Sequence, residues 1–203
     1  MTPFGPVLRG DTTLGIVAGG RAERLSGVAK GLLVYEGRTL IERLLDLGPG
    51  FAEVLLGAND PSAYARFGLR CCADRVPDRG APGGVHAVLA AARTPWVLVV
   101  AADMPFVTRA AVEALLAARS EEADLVCFEV QGFLEPLLAV YRASLAPAWE
   151  RALATEPSFG KLFRGFRAKV LPEGALAAVD PDLASTLSVN TPEDAARFGI
   201  KLP

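Results

Sequence analysis

The sequence predicts an α/β fold: one domain, a three-layer αβα sandwich around a mostly parallel, Rossmann-like sheet. Three observations predict it. Strand-like and helix-like segments alternate from residue 14 to residue 119, the order that builds parallel strands joined by helical crossovers. The run Trp96 to Ala101 is apolar without a break, as a strand buried on both faces of a parallel sheet has to be. The 203 residues supply a sizeable core for one domain, expected over residues 14–203 behind a flexible N-terminal arm of residues 1–13.

In chain order, Leu14 to Ala18 reads as a buried strand that stops at the paired glycines Gly19 and Gly20, with the cations Arg24 and Lys30 on the connection that follows. Leu40, Ile41, Leu44, Leu45 and Leu47 recur at helical spacing within residues 39–47, and Gly48-Pro49-Gly50 ends that helix. Ala52 to Gly57 is a strand, Asn59-Asp60-Pro61 opens a short helix ending near Gly68, and Leu69 to Ala73 is the next strand, stopping at Asp74. Residues 75–84 are rich in Gly and Pro and read as a long functional loop before a helix over Val85 to Arg93. After Trp96 to Ala101 comes Ala102-Asp103-Met104-Pro105, then a helix over Thr108 to Arg119. Strands are expected at Asp124 to Val130 and Glu135 to Tyr141, and an amphipathic helix at Ser144 to Ala154. A short aromatic-rich stretch, Phe159 to Phe166, and a brief strand at Lys169 to Leu171 follow. Leu187 to Asp194 reads as a strand feeding a helix, with Thr191 at the N-cap, Pro192 in the first turn, and Glu193 and Asp194 at the positive end of the helix dipole.

Composition narrows the function classes. With 51% hydrophobic and 22% charged residues the chain is an ordinary soluble protein, and a net charge of −2 without a basic stretch gives no support for nucleic-acid binding. The longest apolar run is far too short to span a bilayer, and Met1 to Pro6 lacks the pattern of a signal peptide, so no membrane role and a cytoplasmic location are expected. Cys71 and Cys72 are neighbours on one expected buried strand and point to opposite faces, which disfavours a disulfide or a shared metal. The lone histidine, His86, has no cysteine near it and suits a packed or capping role better than a zinc site or a catalytic triad.

Parallel sheets bind ligands beyond the carboxyl ends of their strands. Gly19 and Gly20, Asp74 and Asp103 each follow an expected strand directly, so all project to that one edge. Glycine amides, Arg24 and Lys30 suit phosphate oxygens, and Asp103 suits a Mg²⁺ that shares its coordination with phosphates. Asp74 suits a hydrogen bond from a base or a ribose; guanine offers an amine there. Each feature alone also has a plain structural reading: Gly-Gly as a turn, either Asp as a cap, either cation as a solvated charge.

Taken together, these residues resemble the molybdenum cofactor guanylyltransferases, within the broader nucleoside-triphosphate transferases. The stretch from Val17 to Lys30 is similar to that family's opening signature at Gly19, Gly20, Arg24 and Lys30. Asp74 and Asp103-Met104-Pro105 match its nucleotide and Mg²⁺ positions, residues 80–84 its glycine-rich loop, and Val189-Asn190-Thr191-Pro192-Glu193-Asp194 its closing motif. Leu25, Ser26, Ala29, Gly57, Ser188 and the Ala81-Pro82-Gly83 sequence depart from the family pattern.

The resemblance implies a nucleotide-diphospho-sugar-transferase type of fold and transfer of GMP from GTP to molybdenum-bearing molybdopterin, with Mg²⁺ as cofactor. It implies nucleotide binding by Val17, Ala18, Gly19, Gly20, Lys30, Asp74 and Asp103, catalytic roles for Lys30, Arg24 and Asp103, and metal binding by Asp103. Gly83, Gly84 and Asn190 would bind the acceptor, and molybdoenzymes or cofactor-delivery proteins would receive the product. The alternatives at this point are a relative that uses CTP or a sugar-phosphate acceptor, and a nucleotide-binding regulator without catalysis.

Overall fold

The computed structural model describes residues 10–18, 27–155 and 158–203. In chain order it contains β1 (Thr12–Val17), β2 (Val34–Tyr35), β3 (Arg38–Thr39), α1 (Leu40–Leu45), β4 (Glu53–Gly57), β5 (Arg70–Cys72), α2 (Gly80–Ala91) and β6 (Trp96–Ala101). The second half adds α3 (Arg109–Ala117), β7 (Leu125–Val130), β8 (Phe133–Arg142), α4 (Ala146–Thr155), α5 (Phe159–Leu162), β9 (Ala168–Leu171), α6 (Glu173–Ala177) and α7 (Pro192–Phe198). Seven strands form one sheet in the order β5-β4-β1-β6-β8-β7-β9. Only β8 runs against the others, pairing antiparallel with β6 and β7.

Two apolar layers sandwich the sheet. On one face Leu14, Ile16, Leu98 and Val100 pack with Ile41 and Leu44 of α1, Val112 and Leu115 of α3, and Leu176 of α6. On the other, Val17, Leu55, Val97 and Val99 pack with Val85, Val88 and Leu89 of α2 and with Trp149 and Leu153 of α4. This is the three-layer αβα arrangement that the alternating sequence predicts, because each helix must bury one stripe against the sheet. Among the described residues no helix is long and apolar enough to cross a membrane.

The structure differs from the sequence reading in several places. The first strand begins at Thr12, two residues before the expected start, and Thr12 and Thr13 are fully buried. Threonine enters the core there because its hydroxyl is satisfied: Thr13 Oγ1 donates to Glu53 Oε1 at 3.0 Å and lies 2.7 Å from Thr94 Oγ1. The two-residue hairpin strands β2 and β3 were too short to show a period.

Residues 80–84 are not loop but the start of α2. Their glycines let this helix press onto the sheet: a Cβ on Gly84 would stand 2.6 Å from Val17 Cγ1. Pro82 falls in the first turn, where a missing N–H costs nothing. Residues 187–190 form no strand; instead Val189 donates its N–H to the Asp103 carbonyl at 2.9 Å.

His86 is buried within α2, its Nε2 3.9 Å from Glu150, and burial pulls its pKa below the usual value; it is a packed histidine. Cys71 and Cys72 are half-buried rather than buried, and they and Cys127 are free thiols.

Candidate active site

The parallel strands β5, β4, β1 and β6 end at one edge, and the backbone ladder carries on past them. Ala18 donates to the Gly57 carbonyl, Ala58 to that of Cys72, and Ala102 to that of Val17, at 2.8, 3.0 and 2.9 Å. This continuation holds Val17, Ala18, Asp74 and Asp103 in a row along the edge. Gly19, Gly20 and Arg24 lie outside the described residues.

Asp103 follows β6, a strand buried along its whole length, and Met104 closes a tight turn behind it by donating its N–H to the Ala101 carbonyl. Lys30 reaches the same point from the other side. It opens a single 3-10 turn, Lys30–Leu32, whose Gly31 is buried. A Cβ on Gly31 would lie 3.1 Å from Tyr64 Cε1 and 3.3 Å from Ala102 Cβ, so glycine lets this turn sit against the end of β6. Lys30 Nζ then donates to Asp103 Oδ2 at 2.6 Å and to Asn190 Oδ1 at 2.7 Å.

Asn190 arrives through the closing motif. Thr191 and Asp194 form a capping box at the start of α7: Thr191 Oγ1 accepts from the Asp194 N–H, while Asp194 Oδ2 accepts from the backbone N–H of both Asn190 and Thr191. Asn190 Nδ2 donates to Ser188 Oγ at 2.7 Å, which turns the amide oxygen toward Lys30. A small core of Leu33, Leu40, Val189 and Ile200 packs behind. It joins the chain just after Lys30 to the chain just before Asn190, so one cluster positions both residues.

The Asp103 and Lys30 side chains are 18% and 23% exposed, open enough for a ligand yet shielded enough for their charges to act strongly. A carboxylate and an amide oxygen facing one ammonium form a hard-oxygen pair that suits a small divalent cation. Among the described residues no group of three or more His, Cys, Asp or Glu gathers to hold a metal unaided. A cation held here would need its other ligands from phosphate and water, an arrangement usual for Mg²⁺.

Asp74 stands at the other end of the edge. Its backbone N–H donates to Asn59 Oδ1 at 2.9 Å, and Asn59 Nδ2 returns a bond to Asp74 Oδ2 at 3.0 Å. This reciprocal pair, built from the residues after β4 and β5, fixes the carboxylate over the first turn of α2. A Cβ on Gly83 would be 3.4 Å from Asp74 Oδ2, so Gly83 and Gly84 keep that approach open. Trp149 Nε1 donates to the Pro82 carbonyl at 3.1 Å and anchors the turn from beneath.

The structure therefore divides the expected acceptor set. Gly83 and Gly84 lie with Asp74 and Val17, whereas Asn190 lies with Lys30 and Asp103. Sequence reasoning missed Asn59, which it placed only at the opening of a short helix, and Ser188, which it took only as a departure from a pattern. The signal for Asn59 was its place two residues past a strand that ends at the same edge.

Comparison with known proteins gives a consistent set of likenesses. Residues 15–170 match the family model of the MobA-like NTP transferase domain. The chain is 31% identical over 187 residues to the molybdenum cofactor guanylyltransferase of Desulfosudis oleivorans, covering 91% of this chain and 93% of that protein. It is 31% identical over 200 residues to the molybdenum cofactor guanylyltransferase of Vibrio cholerae, covering 95% and 94%. Among solved structures, molybdopterin-guanine dinucleotide biosynthesis protein A from Archaeoglobus fulgidus superposes with a TM-score of 0.77 at 26% identity, covering 92% of this chain and 96% of that one.

Proposed function

The chain belongs to the molybdenum cofactor guanylyltransferases, nucleotidyltransferases built on the MobA-like NTP transferase domain, and from that premise we propose how its residues divide the work. GMP passes from GTP to the terminal phosphate of molybdenum-bearing molybdopterin. An oxygen of that phosphate forms a bond to the α-phosphorus of GTP, the bond from the α-phosphorus to the bridging oxygen breaks, and pyrophosphate leaves with the electron pair. The products are molybdopterin guanine dinucleotide, destined for molybdoenzymes or the proteins that deliver it, and pyrophosphate.

The observation that carries this reading is the meeting of Lys30, Asp103 and Asn190 at the carboxyl edge of the sheet. Enzymes of this chemistry work mainly by positioning and by neutralising phosphate charge, which needs cations and a metal anchor more than a proton-transfer residue. Lys30 supplies a point charge for the triphosphate. Asp103, with Asn190 beside it, would hold Mg²⁺, which when bound offsets the negative charge that repels an incoming phosphate oxygen. The acceptor phosphate has a second pKa of about 6, so near neutral pH it is already the nucleophile and needs no general base. Asp74, held by Asn59 over the start of α2, supports recognition of the guanine or its ribose. Gly19, Gly20 and Arg24 complete the phosphate site in this proposal.

Thermal melting of the protein with GTP, ATP, CTP and UTP, each with Mg²⁺, tests it. A ligand bound only by the native state raises the melting temperature by mass action. GTP should give the largest shift and should lose most of it when Mg²⁺ is omitted. Equal shifts for all four nucleotides would remove the guanine assignment.

A further inference from the structure

One carboxylate at the same edge takes no part in the chemistry above. In the β6–β8 pair the last matched residues are Val100 and Leu138. The strands run in opposite directions, so Asp103 and Glu135 each stand three residues beyond that pair, toward the same edge. The order β5-β4-β1-β6-β8 therefore sets out Asp74, then the Lys30–Asp103 pair, then Glu135 along one line. With the nucleotide base at the β5 end and its phosphates at β1 and β6, the strand on the far side of Asp103 faces whatever attacks the α-phosphorus.

The local backbone is irregular at this point. Cys127 pairs with Ala139 but Glu129 pairs with Leu134, so Phe128 alone faces Glu135 to Leu138 of the neighbouring strand. Bulges of this kind re-aim side chains and cluster beside active sites. Glu135 is half-buried, and among the described residues it makes no hydrogen bond or ion pair. Burial pushes its carboxyl up to about 7, and among the described residues no partner offsets this. Two residues earlier, Phe133 is 73% exposed, an aromatic ring open to solvent roughly 7 Å along the strand. A half-buried carboxylate with no partner among the described residues is free to accept from a pair of N–H donors.

We propose that Glu135 reads the amide–amine edge of the acceptor's pterin ring, with Phe133 as the flat surface on which that ring rests. The proposal depends on molybdopterin being the acceptor, as set out above. A 2-amino-4-oxopteridine presents a ring N–H and an exocyclic amine side by side, and a carboxylate accepts from both with its two oxygens. A 2,4-dioxopteridine replaces the amine with a carbonyl and turns one of these bonds into a repulsion. The carboxylate thus selects the pterin from other pteridines, while Asp74 attends to the nucleotide at the opposite end of the edge.

The test uses 6-hydroxymethylpterin monophosphate and the corresponding 2,4-dioxopteridine monophosphate, with binding followed by quenching of pteridine fluorescence. The wild-type protein should bind the pterin at least about tenfold more tightly than the dioxo compound, the discrimination expected of one two-pronged contact. Glu135→Gln, whose amide offers one acceptor and one donor, should lose the preference for the pterin or reverse it toward the dioxo compound. Phe133→Ala, at an exposed position that does not endanger the fold, should weaken both by a similar factor. Equal binding or no binding of the two compounds by the wild type, or a pterin preference that survives Glu135→Gln, overturns the proposal. An unchanged Phe133→Ala removes the stacking surface. Thermal shifts with GTP and Mg²⁺ on the same samples separate the two levels: intact GTP binding with no pteridine preference sinks this inference alone, whereas loss of GTP binding by the wild type sinks the functional reading beneath it.

Discussion

Lys30 and Asp103 are separated by 73 positions in the sequence, yet the ammonium of one lies 2.6 Å from the carboxylate of the other. Little in this contact serves stability, since a partly exposed ion pair contributes about 0–1 kcal/mol. The cost of assembling it is visible in the surroundings: a glycine pressed against Tyr64 and Ala102, and a C-terminal segment bonded to the Asp103 carbonyl. In the proposed reaction this firm placement at the sheet edge serves the nucleotide's phosphates rather than the fold.

The closing motif sets the position of Asn190 through its cap. Asp194→Ala should remove the acceptor for two backbone N–H groups, destabilise the protein by about 1 kcal/mol as lost caps do, and let Asn190 drift from Lys30. Transfer should therefore fall although Asp194 touches no substrate, and Asp194→Asn, which keeps an acceptor oxygen, should recover much of it. Paired measurements of melting temperature and initial rate check this. An unchanged rate in a destabilised Asp194→Ala protein would make the motif a helix cap and nothing more.

Much of this was legible in the sequence, and the failures have physical causes. The unbroken apolar run of β6 and the alternating pattern up to residue 119 led directly to the parallel sheet, because burial on both faces leaves that mark. Thr191, Pro192 and Asp194 announced the start of α7 by their cap chemistry. By contrast, Gly80 to Gly84 read as a loop, since local propensity opposes a glycine-rich helix and only the tight contact with Val17 and Asp74 explains it. The hydrogen bond from Lys30 to Asn190 was hidden for a different reason. It depends on the small core around Leu33 and Val189, which no local pattern reveals.

The Asn59–Asp74 pair gives a prediction about nucleotide choice. Asn59→Ala frees the Asp74 carboxylate to rotate while leaving the phosphate and metal positions untouched. KM for GTP should rise by about 10-fold, as expected when a positioned polar contact is lost, with a smaller change in kcat. Discrimination between GTP and CTP should shrink. Steady-state rates with both nucleotides decide it, and an unaltered GTP preference would place base recognition elsewhere.

Glu135 gives a prediction about pH. Its carboxyl lies at about 7 in the folded protein against an ordinary 4.5. Between these values the unfolded chain gives up this proton while the native chain keeps it, so the native state loses stability as pH rises. The contribution is complete below about pH 4.5 and gone above about pH 7. Glu135→Gln cannot lose that proton. Relative to wild type it should gain melting temperature between pH 4.5 and pH 8, by roughly 2–4 °C once solvent screening of a half-exposed group is allowed for. Parallel melting curves across this window, in buffers of constant ionic strength, provide the check; a constant offset would show that the charge of Glu135 is well accommodated.

If Asp103 anchors the metal for nucleotidyl transfer, Asp103→Asn removes that anchor. The substitution keeps the size of the side chain and leaves the backbone bonds around it intact, so the protein should fold and still bind GTP through its cations. Pyrophosphate release by the purified variant, with GTP and acceptor, is measured in Mg²⁺ and again in Mn²⁺. Turnover should fall by about 100-fold or more in Mg²⁺, the scale of removing one essential charge from a phosphoryl-transfer site, with partial recovery in Mn²⁺. Wild-type turnover by Asp103→Asn in Mg²⁺ would contradict it, leaving Asp103 as the partner of Lys30 and the site without its metal anchor.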